Sequence, residues 1–165
     1  MTRKVSMGKQ KPSVLIIGYG NPGRQDDGLG PACASKIKTL ELAFTNVDIS
    51  YQLVVEHAYD MSSAEVIVFV DATRSGESPF SFGELKDVDK TTGFGSHTLT
   101  PSALKKLTNT VYGSSPKCYV LGIRGYQFDQ FEETLSAEAE SNLSLAVNFM
   151  VDWIDITQKQ KTINL

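Results

Sequence analysis

The stretch Val14 to Gly30 reads Val-Leu-Ile-Ile-Gly-Tyr-Gly-Asn-Pro-Gly-Arg-Gln-Asp-Asp-Gly-Leu-Gly. Its unbroken apolar start predicts a strand covered on both faces, because a strand with one wet face alternates. The chain then breaks into a glycine turn and delivers two adjacent carboxylates, Asp26 and Asp27. A helical pattern follows at Leu29, Cys33, Ile37 and Leu40, with Gly30-Pro31 at its entrance, where proline is well tolerated. Buried strand, tight turn and helix are the parts of an open α/β sheet. Such sheets gather ligands in the crevice at the carboxyl ends of their strands.

The same alternation of signals runs through the rest of the chain. Val47 to Val55 carries β-branched residues in alternation and predicts a second strand, and His57 to Ser63 a short helix or turn. Val66 to Val70 is solidly apolar and ends at Asp71; Phe80 to Leu85 reads as an extra strand and Asp87 to Gly95 as a polar loop. Thr100 is a suitable N-cap for a helix starting at Pro101, and Tyr119 to Ile123 is another buried strand. A last long helix starts at Ser136, with Glu138 in its first turn. Leu143, Val147, Met150 and Ile154 line one face, and Leu145, Phe149 and Trp153 widen it. The expectation is an α/β fold: a three-layer α/β/α sandwich with a mostly parallel twisted central sheet of about five strands. One domain is expected over 13–157, with a polar tail at 1–12 and a frayed tail at 158–165.

Composition narrows the partners. The formal net charge of -3 speaks against nucleic acid, since phosphate binding favours a basic footprint. No apolar stretch reaches the ~20 residues of a membrane span. Residues 1–12 lack the hydrophobic centre of a secretory signal, so the expected compartment is the cytoplasm. Cys33 and Cys118 stand far apart in no CxxC pattern and are expected to be reduced, buried thiols.

Gly18-Tyr19-Gly20-Asn21-Pro22-Gly23 satisfies GxGxxG literally. In a dinucleotide fold the third glycine opens the helix whose amides meet the pyrophosphate. Here Pro31 puts the helix start later, and Asp26 and Asp27 would turn negative charge toward the phosphates. The acid about 20 positions on, Asp48, falls at the start of the second predicted strand rather than its end. The Gly-x-Gly-Asn-Pro-Gly string also resembles the opening of peptidyl-tRNA hydrolase. That family continues with its catalytic histidine, where this chain has Gln25-Asp26-Asp27-Gly28. A shared strand-turn architecture does not transfer function.

A third resemblance covers about residues 14 to 150. Gly-x-Gly-Asn followed by Asp-Asp-Gly-x-Gly is similar to the hydrogenase maturation proteases, endopeptidases that trim the large subunit of nickel-iron hydrogenases. The likeness continues at Gln52 to Glu56, Val68 to Ala72, Ser96 to Pro101, Leu121 to Phe128 and Leu135-Ser136, in the family's order. It implies three metal-contacting positions, Asp27, Asp71 and His97, with Asp27 where the family often has Glu. It also implies that the metal is nickel carried by the substrate precursor, with zinc or another divalent cation as a surrogate. Asp27 and Asp71 are then the catalytic carboxylates, and the partner is a nickel-iron hydrogenase large-subunit precursor.

The residues alone leave more open. Asp71 follows an apolar run, and a carboxylate buried without a partner costs several kcal/mol, so it needs a partner or a cation. It could equally cap the next turn through Thr73 or Ser75. Asp26 and Asp27 could cap the helix entered at Pro31, and Asp26 competes with Asp27 as ligand. His57, beside Glu56, is the other histidine. Two carboxylates and one imidazole suit a borderline divalent cation and leave coordination positions open. No HExxH and no Gly-x-Ser-x-Gly elbow is present. Arg124 would bind a substrate carboxylate or pair with Asp129, Glu132 or Glu133 on the surface. Tyr19 and Phe94 would be site walls or core. Alternatives to the endopeptidase are a non-catalytic nickel-sensing assembly module and, more remotely, a peptidyl-tRNA hydrolase-like enzyme.

Overall fold

A computed structural model describes residues 14–86 and 98–163. The chain runs β1 (Val14–Tyr19), a 3-10 turn (Gln25–Gly28), α1 (Leu29–Thr39), β2 (Thr45–Ser50) and α2 (His57–Ser62). It continues through β3 (Val66–Thr73), β4 (Phe80–Glu84), α3 (Pro101–Tyr112), β5 (Lys117–Arg124) and α4 (Ala137–Ile163). The five strands form one sheet in the order β2-β1-β3-β5-β4. β2, β1, β3 and β5 are parallel, and β4 pairs antiparallel with β5 at the edge. The sequence reads this way because β1 and β3, at the centre, are apolar on both faces, whereas β4 has one side in solvent.

Two cores flank the sheet. On one face Ile16, Val68, Val70, Leu121 and Ile123 pack against Leu29, Cys33 and Ile37 of α1 and Leu143, Met150 and Ile154 of α4. On the other, Ile17, Ile67 and Phe69 pack against Ala58 and Met61 of α2 and Leu104 of α3. Each Val, Leu, Ile, Phe or Met side chain among them contributes about 1.5–3 kcal/mol when fully buried. Cys33 and Cys118 are buried and in no disulfide, and burial pushes the Cys33 thiol up to about 12. No helix among the described residues is long and apolar enough to cross a membrane.

Several expectations are corrected. β2 ends at Ser50 rather than running to Val55, because the Ser50 carbonyl accepts from the Gly20 amide and the chain then turns into α2. Asp48 therefore lies within β2, not at its start. Leu145 does not widen the buried face of α4 but is half exposed. Phe149 and Trp153 do turn inward, onto Phe82 of the edge strand. α4 does not fray at 158; it continues to Ile163, and the Gln158 amide donates to the Ala43 carbonyl and to Thr45 Oγ1. The predicted loop from Asp87 to Gly95, with Phe94, lies outside the described residues, as does the tail 1–12.

Candidate active site at the carboxyl edge of the sheet

The site is built where β1 and β3 lie side by side. β1 ends at Tyr19, and its glycine turn folds back so that the 3-10 turn carrying Asp26 and Asp27 packs against β3. This return requires glycine. Gly20 has φ +142°, and a Cβ there would stand 2.1 Å from the Asp27 carbonyl oxygen. Gly30 lets α1 lie directly on the sheet, since a Cβ there would meet the carbonyl oxygens of Tyr19 and Val70 at 2.3 and 2.5 Å. The glycines thus serve backbone packing. α1 starts at Leu29, not at Gly23, which removes the helix amides a dinucleotide would need.

Asp71 is half-buried, and its Oδ1 accepts the Ala72 amide at 2.8 Å. It caps no turn: β3 continues through Thr73, which pairs with Arg124. Burial and the charge of Asp27 raise its carboxyl to about 6, against the opposing pull of the Ala72 amide and a hydrogen bond from the Tyr19 hydroxyl. Burial, with the same Asp71 charge and bond, raises the Tyr19 phenol as well. Asp27 is partly exposed, and its Oδ2 accepts from the Asn21 amide at 2.9 Å. The pair is therefore two carboxylates close enough for one to oppose the ionisation of the other.

Asp26 has a different fate. It is fully buried and accepts four hydrogen bonds: from the amides of Ser136 (2.7 Å), Tyr126 (2.8 Å) and Gln127 (2.9 Å) and from the Ser136 hydroxyl (2.7 Å). Burial pushes its carboxyl up, but these donors outweigh burial and hold it below the usual carboxylate range. Neither aspartate caps α1, whose N-cap is Gly28. Asp26 instead clasps segment 125–136 to the 3-10 turn. Both of its oxygens accept from the protein, three bonds on Oδ2 and one on Oδ1, whereas Asp27 keeps partial exposure.

Solved structures share this architecture. Hydrogenase maturating endopeptidase HybD from E. coli superposes with a TM-score of 0.70 at 13% identity, over 88% of this chain and 93% of the other. The NiFe hydrogenase maturation protease HycI from Thermococcus kodakarensis gives 0.68 at 18% identity, over 87% and 93%. A hydrogenase 2 maturation peptidase from a Thaumarchaeota archaeon gives 0.64 at 20%, over 87% and 98%. The chain has the maturation-protease fold. No family model and no curated protein matches the sequence.

On the maturation-protease fold the remaining sequence candidates separate. His97 lies outside the described residues, and among the described residues no group of three His, Cys, Asp or Glu side chains is placed to hold a metal. His57 is buried under β2, with Nε2 2.7 Å from Asp48 Oδ2 and Nδ1 2.9 Å from the Val54 amide. It joins α2 to the edge strand and is occupied structurally. Arg124 is not ion-paired with Asp129, Glu132 or Glu133; its guanidinium lies over the Tyr126 ring at 5.2 Å. Glu56 sits exposed before α2 and makes no side-chain cap bond. Sequence reasoning missed the hydroxyl of Tyr19 on Asp71 and the clasp by Asp26. Gly125 was the available signal for the clasp, since a Cβ there would lie 2.8 Å from Asp26 Cβ.

Proposed function

We propose that this chain is an endopeptidase that removes the C-terminal extension of a nickel-loaded nickel-iron hydrogenase large-subunit precursor in the cytoplasm. The observation that carries the reading is the Asp27–Asp71 pair at the β1/β3 edge of a maturation-protease fold. A carboxylate whose proton affinity is raised by burial and by a like charge beside it will also favour a divalent cation, which removes that repulsion. In this reading the cation is the substrate's own nickel, with zinc as a surrogate. Asp27, Asp71 and His97 are the residues that would contact it, and nickel marks a precursor ready for cutting.

The protein's contribution is to seat the scissile peptide and manage a proton. Asp71, with its carboxyl near 6, is suited to act as a base, because a base acts best when its pKa lies close to the working pH. The Tyr19 hydroxyl favours the charged form of Asp71 and so offsets part of the rise. The test is to mix the protein with nickel-loaded and nickel-free precursor and record the precursor's mass. Loss of a C-terminal peptide from the loaded form alone is the expected result. Binding without loss of mass would make the chain a nickel-sensing assembly module instead.

A further inference from the structure

The arginines of the described chain are gathered at one place. Arg24 follows β1, Arg74 directly follows β3, and Arg124 ends β5, so all three stand at the carboxyl edge that carries Asp27 and Asp71. Lys117 opens β5 and Lys36 and Lys38 close α1, at the opposite end of the strands. Each guanidinium lies over an aromatic ring: Arg24 over Phe131 at 5.3 Å, Arg74 over Phe128 at 4.3 Å and Arg124 over Tyr126 at 5.2 Å. The three rings belong to the single segment 126–131. Asp26, through Tyr126, Gln127 and Ser136, ties that segment to the turn bearing Asp27. Among the described residues none of the three guanidinium groups is in an ion pair.

A guanidinium drawn over a ring by its charge keeps N–H donors for a further partner, in the fork that matches a carboxylate. The ring contact also restrains a long side chain before any ligand arrives, which lowers the entropy lost on binding. We propose that Arg24, Arg74 and Arg124 form a collar that binds carboxylate side chains of the polypeptide entering the Asp27–Asp71 site. The identity of that polypeptide rests on the endopeptidase reading; the collar's taste for an acidic peptide does not. A nucleic acid is disfavoured, because Asp129 stands on the same segment, Glu132 and Glu133 directly follow it, and the chain is acidic overall. Separate carboxylates on a peptide can meet the arginines one by one without facing those acids as a continuous polyanion.

The experiment uses the full chain and three probes at low salt: a labelled Glu-containing peptide, its Gln counterpart, and a single-stranded oligonucleotide of equal charge. The Glu peptide is expected to bind about tenfold tighter than the Gln peptide, an advantage that fades with salt. Replacing the three arginines together by Gln should abolish that advantage. Replacing them by Lys should keep only part of it, since the charge stays but the planar fork is lost. Arg24 and Arg74 are exposed, so the variants should fold, and circular dichroism checks this. Equal binding of Glu and Gln peptides, or an undiminished preference in the Gln variant, would overturn the collar, as would tighter binding of the oligonucleotide. With precursor, the Gln variant should associate about tenfold more slowly, as lost steering predicts. If the wild type leaves precursor mass unchanged, the endopeptidase reading fails while the peptide titration still decides the collar.

Discussion

Asp26 and Asp71 are both carboxylates drawn out of water at the same edge of the sheet, yet their acidities move in opposite directions. Asp26 is the more deeply buried and is held below the ordinary range; Asp71 retains some exposure and rises to about 6. Burial pushes both carboxyls up, so burial alone does not set the sign. Asp26 receives three backbone amides and a hydroxyl, and no like charge raises it. Asp71 receives one amide and one phenol and has Asp27 beside it. A saturated buried carboxylate is a structural tie, whereas an undersupplied one beside a like charge is ready to take a proton or a cation.

The contrast is sharpest under substitution. Asp71→Asn is expected to abolish precursor processing, a loss of at least about 100-fold for a catalytic base, read by mass spectrometry. The same variant should be more stable than the wild type at pH 7 by about 2–3 kcal/mol, because it no longer buries a reluctant charge. Unchanged processing in that variant would place the chemistry elsewhere. Asp26→Ala should do the reverse. It orphans three amides and a hydroxyl and should lower stability by about 3 kcal/mol or more, measured by urea unfolding.

The two groups also oppose each other in their pH dependence. The folded state binds the Asp71 proton more tightly than the unfolded chain, so this group's contribution falls as pH rises from about 4 to about 6. Asp26, with its folded pKa lowered, contributes stability that is present above the unfolded value and lost as pH drops through the folded one. Asp71→Asn should accordingly remove the decline between pH 4 and 6, and Asp26→Asn should flatten the acid limb below it. Unfolding midpoints across that range measure both. The smallest effect is expected for Tyr19→Phe, which removes a donor that lowers the Asp71 carboxyl. The Asp71 pKa should rise further, by less than Asp27→Asn takes away in the other direction, as NMR titration of the carboxyl carbons would show.

Much of the architecture was legible because it follows from periodicity. The runs at Val14 and Val66 could be satisfied only inside a sheet, and Leu29-Cys33-Ile37 only on a helix facing one. The antiparallel edge strand Phe80–Glu84 was visible as a strand, but its direction was not, since direction depends on the connection and not on the side chains. β2 was misjudged because Leu53 is apolar for the sake of the α2/α3 core rather than a strand. Leu145 was misjudged because helical spacing alone does not say how wide the covered stripe is. At the site, a strand-end acid such as Asp71 and the neighbouring pair Asp26-Asp27 could be picked out by chemistry.

Residue order was thus enough to specify layers, strand centres and the short set of acids worth considering, because solvent exclusion acts on patterns within one element. It could not assign different work to two consecutive aspartates. That assignment depends on Ser136, Tyr126 and Gln127 reaching back across a hundred residues or more to one carboxylate, and on Tyr19 and Asp71 meeting across neighbouring strands. The pKa of a carboxylate is set by the donors and charges within a few ångströms, and those arrive only when distant segments pack.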